Sequence, residues 1–317
     1  MTVSRVINGN SCVTDETRQR VLQAIKQLDY HPNQIARSLR EQRSRQIGII
    51  VPNISDPFFA ICAQAVSFVA KEHGYSVNIA MSYEDPKIEY NEVMLMLRRH
   101  VEGIIVIPSA GSITRLTELD FRAIPIVTLD RPLAGDIFDS VVVQNEKGAS
   151  LAVQHLIELG HRRISYLGLS QHLYTIRARY EGYRRAMTGA GLEQDAHYGN
   201  ATQSEMFATL KSLLKTKLKP TAIFASNNLT TRHALHALSE LKVRIPDSVA
   251  LVGFDDFETA DLLKPPITVV RQPTTDMGRI GADLLFSRLS PNRHVHQAKR
   301  IILPVELIIR ESSGRRV

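Results

Sequence analysis

Apolar segments typical of buried strands alternate with amphipathic segments typical of helices from residue 47 to the end of the chain. The run IGIIVP (47–52) has no polar side chain, as expected for a strand covered on both faces, and the amphipathic stretch PFFAICAQAVSFVAKEHGY follows it. Further strands are predicted in SVNIAMS, GIIVIPS, PIVTLD, SVVVQN, ISYLGLS, TAIFASN, VALVGFDD and ITVVRQ. Strands separated by helices form parallel sheets, and this many strands exceed one open sheet of usual size. We therefore predict an α/β core with two parallel sheets.

The first 46 residues have a different pattern, which predicts short helices only. TVSRVINGN places Val3, Val6 and Ile7 on one helical face. Thr14 is a suitable N-cap for a second helix that ends before Pro32. QIARSLR predicts one more short helix, and EQRSRQ (41–46) has no apolar residue and is typical of a linker.

Basic residues are concentrated in this head. Residues 1–46 contain eight Lys or Arg and four Asp or Glu, a net charge of +4 out of +7 for all 317 residues. A basic head on a nearly neutral body favours a polyanionic partner such as DNA. The alternative, a merely solvated and soluble segment, fits the charge about equally well.

Several function classes lack support in the sequence. No apolar run has the length of a membrane span, and no secretory signal pattern precedes the first helix, so we expect a cytoplasmic protein that does not bind membranes. Two cysteines, Cys12 and Cys62, are expected to be reduced thiols. The chain has no G-x-S-x-G elbow and no phosphate-binding loop, and its histidine pairs are better explained as surface residues than as metal ligands. We therefore expect no enzyme activity, no cofactor and no metal.

Polar and aromatic side chains cluster after the predicted strands, where open α/β sheets bind ligands. Rings, amides and charged groups together suit a small polar ligand such as a sugar, because rings stack on its apolar face and charged groups bind its hydroxyls. The alternative is that these residues cap helices and fill the core. The residues concerned are Asn53, Asp56, Phe58, Phe59, Asp130, Arg131, Arg177, Arg179, Asn227, Asn228 and Asp255.

Eight segments in order along the chain carry a resemblance to a known family: TVSRVINGN, LDYHPNQIARSL, IGIIVPNISDPFF, GHRRISYLG, RARYEGYRRAM, KPTAIFASNN, RIPDSVALVGFDD and RIILPVELIIRESS. Through them the chain resembles the LacI/GalR family of bacterial transcription regulators over essentially its whole length. It implies a helix-turn-helix headpiece, a hinge helix and a two-subdomain effector core like a periplasmic binding protein. Family members carry a further helix before this point, so we expect the sequence to be truncated within the helix-turn-helix, with the true start upstream.

The resemblance also implies residues that contact DNA. The segment from Thr2 to Asn8 is similar to the family's recognition helix, which lies in the major groove. Arg5 is then the candidate for a guanine contact, with Thr2, Ser4 and Asn8 reaching bases or phosphates. In the hinge helix (33–40), Leu39 matches the leucine that wedges into the minor groove, with Ala36 beside it.

Effector-binding positions follow from the same resemblance. Arg179 matches the arginine that grips the effector, and Asp255 matches its acidic partner. Lys147 stands where a lactose-binding relative has an acid, which argues against a lactose-like sugar; a negatively charged sugar derivative would be one way to use this charge. The further positions that match effector-lining residues are Phe58, Phe59, Thr175, Phe224 and Asn227.

The resulting hypothesis is a homodimeric repressor whose affinity for operator DNA is controlled by a small metabolite, a sugar or sugar derivative. Its headpiece, hinge helix and linker would occupy residues 1–46. The core would be divided into an N-subdomain (47–146 plus 276–303) and a C-subdomain (147–275 plus 304–317). The alternatives are a solute-binding protein without a role on DNA, and a sugar-acting enzyme.

Overall fold

The computed structural model describes residues 2–7, 13–28, 43–112, 124–133, 137–290 and 297–314. The chain divides into two compact units, Met1–Arg45 and Gln46–Val317. Each unit is described by itself.

The smaller unit contains two helices, α1 (Thr2–Ile7) and α2 (Asp15–Gln27). The Thr14 side chain accepts a hydrogen bond from the Thr17 backbone N–H at 3.4 Å, which confirms the predicted N-cap. Val6 is buried, whereas the apolar face of α2 borders an open groove of about 460 Å³. The groove is lined mainly by apolar side chains, namely Val3, Val21, Ala24, Ile25 and Leu28.

The larger unit contains two six-stranded sheets. The first sheet has the order β11-β5-β4-β3-β1-β2, and all its strands are parallel. Its strands are β1 (Gln46–Val51), β2 (Ser76–Met81), β3 (Gly103–Val106), β4 (Ile126–Leu129), β5 (Asp139–Val143) and β11 (Arg300–Leu303). Strands β1 and β3 to β5 consist almost entirely of buried residues, as the continuous apolar runs predicted.

The second sheet has the order β12-β10-β9-β8-β6-β7 and is parallel except for the edge strand β12. Its strands are β6 (Ile164–Leu167), β7 (Asp195–His197), β8 (Ala222–Ala225), β9 (Ala250–Phe254), β10 (Thr268–Arg271) and β12 (Glu306–Ile308). Strand β7 was not predicted, because it has three residues, two of them polar, at the sheet edge. The remaining strands confirm the predicted pair of parallel sheets.

Helices cover both sheets and define two lobes. The first lobe is the first sheet with α3 (Pro57–Glu72), α4 (Pro86–Arg98) and α9 (Thr274–Leu289). The second lobe is the second sheet with the helices α5 (Asn145–Glu158), α6 (Tyr174–Gly189), α7 (Gln203–Leu213) and α8 (Asn228–Glu240), and it ends in the 3-10 turn Glu311–Ser313. The chain crosses between the lobes after β5, after β10 and after β11. None of the helices in the described parts of the chain has both the length and the apolar character that a membrane span requires.

Close helix packing in the second lobe depends on one glycine. Gly182 of α6 faces the backbone carbonyl of Glu146 and the methyl group of Ala149, both on α5, so a Cβ atom at position 182 would overlap the Glu146 oxygen. Backbone oxygen cannot rotate away as a side chain can. The sequence of α6 therefore needs a residue without a Cβ at this position.

We expect Gly182→Ala to lower the free energy of unfolding by about 1–3 kcal/mol, the usual cost of overpacking a core. The matched control is Gly189→Ala in the same helix, where a Cβ meets no atom within 4 Å. That substitution should be neutral or stabilise by up to about 1 kcal/mol, because alanine favours the helix. Urea unfolding of both variants tests this, and equal stability of the two would contradict the packing argument.

Candidate functional site

A cavity of about 330 Å³ lies between the two lobes, beyond the carboxyl ends of strands from both sheets. Ligands bind at this position in open parallel sheets. Each lobe contributes ten lining residues. Those of the first lobe are Pro52, Asn53, Ser55, Asp56, Phe58, Phe59, Tyr83, Glu84, Asp130 and Arg131. Those of the second lobe and its crossover are Leu169, Leu173, Thr175, Ile176, Arg179, Asn227, Leu229, Arg232, Asp255 and Gln272.

Arg179 is the most deeply buried of the three arginines that line the cavity. Only 3% of its surface is exposed, and its guanidinium carbon lies 3.7 Å from the centre of the Phe254 ring. Its Nε donates to Asn145 Oδ1 at 2.8 Å, and its Nη1 donates to the Ser226 carbonyl at 2.8 Å. Nη1 also lies 3.6 Å from Asp255 Oδ2. One face and one edge of the guanidinium are therefore fixed by the protein.

Asp255 has three partners, one in an ion pair and two in hydrogen bonds. It follows β9 directly, forms the ion pair with Arg179, and accepts a hydrogen bond from the Asn228 backbone N–H at 3.2 Å. Its other oxygen accepts a hydrogen bond from the Gln272 side chain, at the crossover after β10. The adjacent Asp256 has different partners, since its carboxylate binds Arg271 and Arg310. The two adjacent aspartates therefore do not act as a carboxylate pair.

Arg131 links three residues on the first-lobe side of the cavity. Its guanidinium donates two parallel hydrogen bonds to Glu84, at 2.7 and 2.8 Å, and a third to the Pro108 carbonyl at 2.9 Å. Its Nε lies 3.3 Å from Asp130 Oδ2. Burial raises the pKa of Asp130 above its ordinary value, and the positive charge of Arg131 only partly offsets that rise.

Asp56 and Asn227 line the cavity and also cap helices. The Asp56 carboxylate accepts a hydrogen bond from the Phe58 N–H at 3.0 Å at the start of α3. Asn227 forms a capping box with Thr230 at the start of α8. For these two residues the capping alternative is correct, and it coexists with their position in the cavity. Burial raises the pKa of Asp56 above its ordinary value, although a hydrogen bond from the Asn228 side chain acts in the opposite direction.

Unusual backbone conformations concentrate at this cavity. Tyr83, Glu84, Asp130 and Asp255 all have positive φ angles, between 53° and 74°. Residues other than glycine adopt this region at a cost, and such residues cluster at binding sites because the surrounding structure must hold them there. At Asp130 and Asp255 the left-handed residue comes immediately after a strand, and its carboxylate reaches into the cavity edge.

The structure brings together six of the eight predicted effector-binding residues: Phe58, Phe59, Thr175, Arg179, Asn227 and Asp255 all line the cavity. The rings of Phe58 and Phe59 meet edge to face, with centroids 5.3 Å apart. Among the earlier candidates from strand ends, Arg177 is exposed outside the cavity lining.

Two predicted positions, Phe224 and Lys147, lie outside the cavity lining. Phe224 is fully buried within the second lobe, where its ring packs 5.9 Å from that of Tyr166, because its position on β8 directs it into the layer beneath α5 and α6. Lys147 lies in the first turn of α5 on the exposed face, while the neighbouring Gly148 and Ala149 are buried. The basis for a negatively charged ligand is therefore lost.

Several lining residues were not predicted. Tyr83 and Glu84 follow the carboxyl end of β2, and Gln272 follows that of β10. The same strand-end rule that identified Asp130 and Asp255 would have identified them. Arg232 lies on α8 one turn after Asn228 and reaches the exposed rim, a position that strand ends alone do not reveal.

The DNA-contact predictions concern the smaller unit. Thr2 and Arg5 are exposed on α1; of the predicted apolar face, Val6 is buried but Val3 is exposed. Ser4 lies in the same helix. Asn8, Ala36, Leu39 and the whole predicted hinge helix (33–40) lie outside the described residues.

Within the described ranges, no group of three or more histidine, cysteine or acidic side chains is placed to hold a metal ion. The two buried guanidinium groups of the cavity, Arg131 and Arg179, are bound to Glu84, Asp130 and Asp255, an arrangement that suits recognition of a ligand.

Comparisons with known proteins identify both units. Residues 1–33 match the family described as bacterial regulatory proteins, lacI family, and residues 153–313 match the periplasmic binding protein-like domain. A transcriptional repressor of Haemophilus influenzae, named HTH-type transcriptional repressor PurR, is 33% identical over 318 residues, covering 98% of this chain and 94% of that protein.

Two solved structures extend the comparison. The transcriptional regulator CelR in complex with cellobiose is 32% identical, with a TM-score of 0.76, and covers 98% of this chain and 94% of that one. The lac repressor dimer bound to operator is 26% identical, with a TM-score of 0.85 and the same coverage. The family, fold class and regulatory function predicted from the sequence are confirmed. The chain belongs to the lacI family of bacterial regulatory proteins, and it is a DNA-binding transcriptional regulator rather than an enzyme.

Proposed function

We propose that the chain is a homodimeric repressor whose affinity for operator DNA is controlled by a neutral, hydroxyl-rich ligand, a sugar, held in the cavity between the lobes. The observation that carries the proposal is the combination of aromatic rings with buried guanidinium groups that are already paired with carboxylates. Rings cover the apolar face of a sugar, and fixed charged groups bind its hydroxyls strongly.

The charge balance of the cavity supports a neutral ligand. Four carboxylates (Asp56, Glu84, Asp130 and Asp255) oppose three guanidinium groups (Arg131, Arg179 and Arg232) in the lining. The two buried guanidinium groups are bound to Glu84, Asp130 and Asp255. A phosphate or carboxylate ligand would therefore have to displace a buried ion pair, which leaves a carboxylate without its partner at high cost.

One similar structure supports a sugar as the ligand class. CelR is similar over nearly the whole chain and is in complex with cellobiose. A purine base would also stack on Phe58 and Phe59, but its flat ring would use fewer of the carboxylate acceptors around the cavity rim. We therefore place sugars first and purines second among candidate ligands.

Operator binding is proposed for the exposed face of α1. Thr2 and Arg5 are exposed there, and Ser4 lies between them in the helix. Arg5 matches the guanine edge with two parallel hydrogen bonds. Asn8, Ala36 and Leu39 remain predictions from the family resemblance.

A homodimer is supported by apolar side chains at the outer edge of the first lobe. Phe68 on α3, Ile79 on β2 and Leu95 on α4 are all exposed, and both helices pack against β2. The lac repressor structure, similar over nearly all of this chain, is a dimer. The subdomain division proposed from the sequence, 47–146 plus 276–303 and 147–275 plus 304–317, remains our proposal for the units that such a ligand would move relative to each other.

The ligand class is tested by thermal shift with neutral mono- and disaccharides, the corresponding sugar phosphates and sugar acids, and purine bases. We expect a neutral sugar to raise Tm, with stabilisation of about 2.7 kcal/mol at one hundred times its Kd. Arg179→Lys should reduce affinity for that sugar at least about tenfold, because an ammonium group cannot keep the same set of directed hydrogen bonds. A Tm rise with phosphates, acids or purines alone would contradict the neutral-sugar proposal.

The adjacent aspartates provide a matched pair of variants. Asp255→Asn should abolish sugar binding, because all three partners of Asp255 are donors and an amide NH₂ would face one of them. Asp256→Asn should preserve binding and cost about 1 kcal/mol of stability at pH 7. Calorimetry with the sugar identified by thermal shift measures binding, and urea unfolding measures stability; the reverse pattern would refute both roles.

The stability effect of Asp256 should also depend on pH. Burial alone would raise the pKa of Asp256, but hydrogen bonds from Arg310 and Arg271 outweigh it and hold this pKa below its ordinary value. The lowered pKa means that the contribution is fully present above about pH 4, the unfolded value, and is lost as pH falls through the folded value. The difference between parent and Asp256→Asn should therefore be constant from pH 7 to about pH 5 and shrink below about pH 4.

Arg5→Ala should weaken binding to the operator by about tenfold or more, since a bidentate contact to guanine contributes about 1–3 kcal/mol. Lys217→Ala removes the same charge from an exposed site on the core and serves as the control. Footprinting on the region upstream of the protein's own gene, at near-physiological salt, compares the two. Equal protection by both variants would show that Arg5 makes no specific contact.

A further inference from the structure

Asn228 does not line the cavity, yet its side chain bridges the two lobes. It is the first residue of α8 in the second lobe and is only 2% exposed. Its Nδ2 donates a hydrogen bond at 2.8 Å to Asp56 Oδ1, the N-cap of α3 in the first lobe. Between described residues outside the three crossovers, no other side-chain hydrogen bond joins the lobes.

The same residue is tied to the ligand site within its own lobe. Its backbone N–H donates to Asp255, and Asp255 in turn contacts Arg179 and Gln272. Asn228 thus lies between two carboxylates that belong to opposite lobes. Without the amide between them, these carboxylates would face each other across the cleft and repel.

The contact forms only at one separation of the lobes. A hydrogen bond of 2.8 Å is lost within a shift of about 1 Å, so any opening of the cleft breaks it. Burial raises the pKa of Asp56, and the hydrogen bond from Asn228 opposes that rise, which shows that the amide interacts with the carboxylate charge. A buried hydrogen bond to a charged group is worth more than a neutral one.

We infer that Asn228 is a positioning residue that holds the two lobes together through its hydrogen bond to Asp56, a contact we call the clasp. The clasp shifts the equilibrium between closed and open lobe arrangements toward the closed one in the absence of ligand. The inference rests on the proposed function in one respect, namely that lobe arrangement controls operator affinity. The clasp acts through lobe separation and not through contact with the ligand.

The helix ends allow variants that remove the clasp but keep the caps. Asn227, not Asn228, caps α8, so Asn228→Ala leaves the capping box intact. Asp56→Ser keeps an N-cap oxygen for α3 but is too short to reach Asn228. Gln203→Ala is the matched control: Gln203 is also an amide at the first position of a helix behind a capping box, at Thr202, but it is exposed on α7.

Small-angle X-ray scattering of the ligand-free, DNA-free full chain is the first measurement. We expect Asn228→Ala and Asp56→Ser to increase the radius of gyration equally, and Gln203→Ala to leave it unchanged. Because no ligand or operator is involved, this result stands whether or not the cavity binds a neutral sugar. An unchanged radius of gyration in both clasp variants would overturn the inference.

Operator affinity by fluorescence anisotropy, without ligand, is the second measurement. Each single variant should shift Kd in the same direction by up to about tenfold, the effect of losing one hydrogen bond to a charged group. The double variant Asp56→Ser/Asn228→Ala should show the shift of one single variant and not the product of two, because both remove the same interaction. Multiplicative shifts would mean that the residues act independently, and the clasp would be refuted.

Discussion

The guanidinium of Arg179 is the interaction on which the architecture of the cavity depends. It connects the start of α5 through Asn145, the end of β8 through the Ser226 carbonyl, and the end of β9 through Asp255. A buried guanidinium is stable only when its donors are satisfied and its charge is balanced. The ends of two strands and one helix therefore have to meet around this group, and the cavity lies where they meet.

The carboxylates of the cavity impose a second constraint, on the backbone. Asp130 and Asp255 both turn into the left-handed region directly after a strand. A residue that continued in the extended conformation would direct its side chain out of one face of the sheet, into a helix layer. The left-handed turn changes that direction, and the ion pairs with Arg131 and Arg179 offset the conformational cost. The strained backbone at these two aspartates and their ion pairs with arginine therefore depend on each other.

The sequence predicted the two parallel sheets, a cavity at their strand ends and half of the residues that line it, because the carboxyl ends of strands in a parallel fold converge whatever their side chains. It could not predict which way a side chain points. Phe224 was assigned to the cavity although its strand position directs it into the core, and Lys147 was assigned there although it faces solvent. The pairing of Arg131 with Glu84 was also beyond reach, since it joins residues 47 apart through side chains alone.

The polar network of the cavity reaches both the crossovers and the opposite lobe. Gln272 lies on the crossover after β10, and Asn145 begins α5 immediately after the crossover from β5; both are bound to the Asp255–Arg179 pair. Asn228 extends the same network to Asp56 across the cleft. A ligand that forms hydrogen bonds with Asp255 or Arg179 therefore competes with contacts that also fix the positions of the crossovers and of α3 in the opposite lobe. Ligand binding is coupled to lobe arrangement if the interactions of these shared residues differ in free energy between a closed and an open cleft. The hydrogen bond from Asn228 to Asp56, which forms at only one lobe separation, provides such a free-energy difference.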